Sequence, residues 1–74
     1  MTKREKAADL YRQGIELQER GLLDEAIERY EQAAARDRTW APPLFNLGLV
    51  FKKKRLWQKS LDFNRRATEL DGLN

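Results

Sequence analysis

The stretch Ala41-Pro-Pro-Leu-Phe-Asn-Leu-Gly-Leu-Val-Phe51 decides how the chain is organised, because a looser double of it lies 34 residues earlier. Shifted by that distance, Leu44 falls on Leu10, Phe45 on Tyr11, Gly48 on Gly14, Leu49 on Ile15 and Phe51 on Leu17. The match continues past the stretch: Leu56 on Leu22, Trp57 on Leu23, Leu61 on Ile27, Ala67 on Ala33 and Asp71 on Asp37. The chain therefore reads as a short leader and two copies of one unit, residues 7–40 and 41–74. A unit of this size cannot bury its apolar face alone, so its copies must stack.

Size and composition narrow the options. A chain of 74 residues makes one domain at most, residues 1–74. So short a chain buries only about 60% of its unfolded surface. Cysteine and histidine are both absent, which removes disulfides, thiolate ligands and imidazole chemistry. The hydrophobic fraction of 41% suits a small helical core. The charged fraction of 36% suits amphipathic helices and argues against a membrane protein. The N-terminus is charged and lacks the apolar core of a signal peptide. The longest apolar run, Leu47–Phe51, is far below the roughly 18 residues a membrane span needs. A cytoplasmic location is the default expectation. The net charge of +3 is unevenly spread: residues 1–37 sum to −2 and residues 38–74 to +5. Such asymmetry marks either a binding surface or complementarity between the copies.

Read in order, Thr2-Lys-Arg-Glu5 has the form of a capping box. Apolar residues then fall at Ala7, Leu10, Tyr11, Gly14, Ile15 and Leu17, in helical steps of three and four. The spacing predicts a helix from Lys3 to Glu19, closed by Arg20 and by Gly21 in a left-handed position. Gly14 inside it predicts close approach of a neighbouring helix. A second helix is expected from Asp24 to Arg36, burying Leu23, Ala26, Ile27, Tyr30, Ala33 and Ala34. Residues 37–40 make a turn. Pro42 and Pro43 open a third helix, Pro42 to Lys54, where their missing amides cost nothing. Trp40 is expected to pack on Phe45 as a hydrophobic staple. This third helix is the most apolar and should be buried on more than one side. Arg55 replaces Gly21, so the second turn must form without a glycine. The fourth helix is expected from Trp57 to Leu70, with Gly72 as its cap.

Two 34-residue helical hairpins with this pattern resemble the tetratricopeptide repeat family. Leu44, Leu47-Gly48, Phe51, Ala67 and Asp71 match its motif in the second copy. Leu10, Gly14, Leu17, Gly21, Ala26, Tyr30, Ala33 and Asp37 match it in the first. Departures occur at Gln13, Asn64, Ser60 and Gly72, where the motif has Leu, an aromatic, Ala and Pro. Polar Gln13 fits a first helix with no repeat before it. The resemblance implies an all-α fold: four helices as two stacked antiparallel hairpins, a fragment of a right-handed superhelix.

The resemblance further implies a protein–protein interaction scaffold whose first helices line a concave groove for a peptide or helix of a partner. Its groove positions fall on Ala8, Tyr11, Arg12, Ile15, Gln18 and Glu19, and on Phe45, Asn46, Leu49, Lys52 and Lys53. Tyr11, Ile15, Phe45, Asn46, Leu49, Lys52 and Lys53 are the expected partner contacts, with the lysines favouring acidic ligands. Apolar stripes on helices are most often core, so Ile15 and Leu49 read equally well as helix–helix contacts. Only Asn46 matches the Lys/Asn clamp with which some members hold a C-terminal carboxylate, so that activity is not expected.

Two repeats leave a face unfinished. Trp57, Leu61, Leu70 and Leu73 stand where a third repeat would dock, so a homodimer or the remainder of a longer repeat protein is an alternative occupant. The run Lys52–Arg55 raises nucleic-acid binding, but no aromatics interleave for stacking and a solvated helix end is the simpler reading. No enzyme is expected: Ser60 is the only serine, and Gly14 and Gly21 are not followed by the Lys-Ser/Thr of a phosphate loop. No cofactor or metal is called for.

Overall fold

A computed structural model describes residues 1–72 of the chain. They form four α-helices: α1 Lys3–Glu19, α2 Leu23–Arg36, α3 Pro42–Lys53 and α4 Trp57–Gly72. No strand occurs among the described residues. The fold is all-α. Two hairpins, α1–α2 and α3–α4, are joined by packing of α2 on α3.

The ends of the helices follow from local chemistry. Thr2 caps α1 by accepting from the Glu5 amide at 3.1 Å, while the Glu5 carboxylate accepts from the Thr2 amide at 3.0 Å. That backbone bond, with the bond to the Thr2 side chain, holds the Glu5 carboxyl below its ordinary range. Helix α1 ends in a Schellman turn: the Leu22 amide donates to Leu17 O and the Gly21 amide to Gln18 O, both at 2.9 Å. Gly21 sits at φ 79°, the left-handed region expected of it.

The same turn is rebuilt 34 residues on. The Leu56 amide donates to Phe51 O and the Arg55 amide to Lys52 O, again at 2.9 Å. Arg55 takes φ 63° in the glycine's place. The second turn thus keeps the geometry of the first and carries a side chain in a region that disfavours one.

The core runs through Ala26, Tyr30, Ala41, Leu44, Leu47, Val50, Phe51 and Ala67, with Leu23, Ile27 and Ala34 partly buried against it. Helix α3 packs on both α2 and α4, and six of its twelve residues are buried. The small residues work as close-approach points. A Cβ on Gly14 would meet the Tyr30 ring, with Cδ1 at 2.6 Å, and one on Gly48 would meet Asn64, with Cγ at 2.8 Å. Ser60 is buried where the first copy has Ala26, and its hydroxyl donates to Gly48 O at 2.7 Å. That bond explains how a polar residue is tolerated there.

Two expectations need correction. Gly72 does not cap α4: the helix runs through it, and its backbone is outside the left-handed region that a glycine cap uses. Trp40 turns towards α1 and not onto Phe45 as a staple. Its ring meets Tyr11 edge-on at 5.3 Å, and the Arg4 guanidinium lies 5.1 Å above it. The apolar face of Tyr11 and a cation together offer Trp40 more than the neighbouring turn of α3 does. Leu73 lies outside the described residues.

Candidate functional site

The residues expected to contact a partner come from α1 and α3. Their relative position is fixed by a chain of polar contacts. Tyr11 Oη donates to Asn46 Oδ1 at 3.1 Å, Asn46 Nδ2 donates to Tyr30 Oη at 3.2 Å, and Tyr30 Oη donates to Gln18 Oε1 at 2.7 Å. The chain crosses α1, α3 and α2. Burial pushes both tyrosine hydroxyls above their ordinary pKa, against the smaller opposite pull of the Asn46 bond. Asn46 is the only polar side chain between Pro42 and Phe51. A lone amide in an apolar helix needs partners when it packs, and that need is the sequence signal for this bridge.

Around the bridge the expected contacts divide. Phe45 and Leu49, one turn apart on α3, remain 37% and 53% exposed. Lys52 and Lys53 are exposed at the end of the same helix. Tyr11 is partly buried, with its ring against Tyr30 at 5.8 Å as well as Trp40. Ile15 is partly buried against the core. Tyr11 and Asn46 are thus committed to each other, and Phe45, Leu49, Lys52 and Lys53 are the free side chains of the set.

The second set separates. Trp57 and Leu61 lie one turn apart on α4 and are 56% and 63% exposed. Leu70 points elsewhere: it packs against the core and lines a cleft with Ala34, Arg38, Trp40, Leu44, Arg66 and Glu69. A second cavity adjoins it, lined by Glu31, Ala35, Leu47 and Phe63 among others. The two hold roughly 290 and 380 Å³. Arg38 and Arg66 are balanced there by Glu31 and Glu69, so the cleft favours neither sign of charge.

The basic run is also divided. Lys54 pairs with Asp24 at the start of α2, tying the two hairpin turns together. Lys59 lies over the Phe51 ring at 5.3 Å. At the other end of the hairpins, Arg4 bonds Asp37 at 2.6 Å and Thr39 donates to the same carboxylate. Those contacts, Arg4 first, hold the Asp37 carboxyl below its ordinary range.

Among the described residues no group of three or more Asp and Glu side chains converges as a metal site would. No described helix is long and apolar enough to cross a membrane. Compared with family models, with curated proteins and with solved structures, the chain gives no match.

Proposed function

We propose that the chain is a two-repeat module of tetratricopeptide type that binds an extended peptide or a helix of a partner protein on the joint face of α1 and α3. The observation that carries this reading is the pair Phe45 and Leu49. Both are exposed on a helix whose other apolar side chains are wholly or partly buried, next to two free lysines and beside a hydrogen-bonded α1–α3 seam. Exposed apolar side chains one turn apart accept the side chains of a ligand, and aromatic residues carry most of the energy at such contacts. Lys52 and Lys53 favour acidic ligands through on-rate and orientation. No catalytic role is assigned.

A peptide-display selection on the chain tests the proposal. The enriched sequences should combine apolar residues with Asp or Glu. Phe45→Ala should weaken them by about tenfold or more, the effect of losing a 1–2 kcal/mol contact. Enriched peptides that bind the Phe45→Ala chain as well as the parent would refute it.

A second reading rests on Trp57 and Leu61, which are exposed enough to pair two chains through α4. Phe45→Ala separates the readings, because it leaves α4 untouched and should not alter the association state seen in sedimentation.

A further inference from the structure

The chain contains its own control for what the α3–α4 turn is made to do. The α1–α2 turn has the same hydrogen bonds and the same left-handed residue, yet opposite chemistry. Residues 18–25 sum to −2, and their equivalents, residues 52–59, sum to +5. Where the first turn has Gly21, which suits φ 79°, the second holds Arg55 at φ 63°. Backbone strain is kept where the strained residue serves something, and what Arg55 adds over glycine is a long cation at the apex. Leu23 is partly buried at the start of α2, whereas its equivalent Trp57 stands more than half exposed, beside exposed Leu56 and one turn from exposed Leu61.

We infer that this tip docks on an anionic lipid surface. Lys52, Lys53 and Arg55 would meet the phosphates and carboxylates of the headgroups, while Leu56, Trp57 and Leu61 enter the boundary above the acyl chains. The inference shares Lys52 and Lys53 with the α1–α3 reading but rests on Arg55, Leu56 and Trp57, which that reading does not use. Three observations favour lipid over other polyanions. The tip is an exposed turn outside the two clefts described above, so it fits a broad surface better than a peptide. Its one aromatic, Trp57, is too few for a base-stacking platform but is the side chain enriched at membrane interfaces. Exposed cations and exposed apolar side chains stand together at the turn, which is the pattern of proteins that lie on a membrane without crossing it. Among the described residues Lys52, Lys53 and Arg55 make no ion pair, and Lys54 pairs with Asp24 of the neighbouring turn.

The experiment uses the full chain in a Trp40→Phe background, so that Trp57 is the one tryptophan and is excited apart from the tyrosines, with phosphatidylcholine vesicles with and without phosphatidylserine. The expected result is co-sedimentation only with phosphatidylserine, loss of it at high salt, and a blue shift of Trp57 emission on binding. Arg55→Gly should weaken vesicle binding about fivefold, the effect of one interfacial cation, without lowering thermal stability, because glycine suits the turn. Absence of binding at low salt overturns the inference. So does binding with no Trp57 shift, or equal binding of duplex DNA or polyglutamate with the same Arg55 dependence. A dimer that buries Trp57 in the absence of lipid also overturns it, since the apex is then already covered.

Discussion

The two helix-interior glycines look equivalent in sequence and are not equivalent in structure. A methyl on Gly14 runs into the ring of Tyr30, which is fully buried and bonded to Gln18 and Asn46. That ring has nowhere to go, so the added atom displaces α2 from α1. A methyl on Gly48 meets the end of Asn64, an exposed side chain that swings into solvent. Gly→Ala in a helix otherwise gains about 1 kcal/mol of propensity. Gly14→Ala should therefore destabilise by about 1–3 kcal/mol, the usual range for overpacking. Gly48→Ala should fall within about 1 kcal/mol of the parent. Urea unfolding of the two variants decides the matter: equal losses would mean that the Asn64 contact is as rigid as the Tyr30 contact.

At the scale of the helices, what holds α1 against α3 is the run Tyr11–Asn46–Tyr30–Gln18. Both phenols are neutral when protonated, and burial raises their pKa in the folded chain. Below the ordinary tyrosine value of about 10 the folded and unfolded chains are equally protonated. Above it the unfolded chain loses protons first, so stability falls as pH rises. The midpoint of urea unfolding should decline above pH of about 10. Tyr11→Phe should flatten that decline and cost about 1 kcal/mol at neutral pH, since it removes one hydrogen bond and keeps the ring. An unchanged alkaline slope in Tyr11→Phe would remove Tyr11 from this account.

How much of this was legible follows the range of the forces involved. The bounds of α1 were readable at both ends, because a capping box and a left-handed glycine act within one turn of the residues they stop. The all-α fold and the close approach at Gly14 were readable for the same reason, through spacing and residue size. Gly72 misled because a glycine permits a stop without imposing one. The place of Trp40 was not readable, since its partners Tyr11 and Arg4 lie some thirty residues away on α1 and meet it only after α2 has folded back on α1. Among the expected contacts, Phe45 and Leu49 stayed exposed, whereas Tyr11 and Asn46 turned out to bond each other. The spacing placed all four on neighbouring helices, but which side chains would satisfy one another depended on the α1–α3 distance.

For the molecule as a whole, the question is whether two hairpins make one folding unit. Ties cross between them at several points: Lys54 on Asp24, Asn46 on Tyr30, Tyr11 on Asn46, and above all Leu47, which is fully buried in the core shared by α2, α3 and α4. Leu→Ala at such a site costs about 2–5 kcal/mol, and a domain of this size has a total of only about 5 kcal/mol or little more. Leu47→Ala should therefore remove about half or more of the stability and lower the melting temperature steeply. Its helical circular dichroism should fall in both halves at once, because neither hairpin buries its face without the other. Leu61→Ala makes the same chemical change on the exposed side of α4 and should leave stability within about 0.5 kcal/mol. Melting both variants beside the parent tests the argument. A Leu47→Ala chain that retained half its helix content through a separate, later transition would show the hairpins to be independent units, and the energetic coupling argued from α2–α3 packing would be wrong.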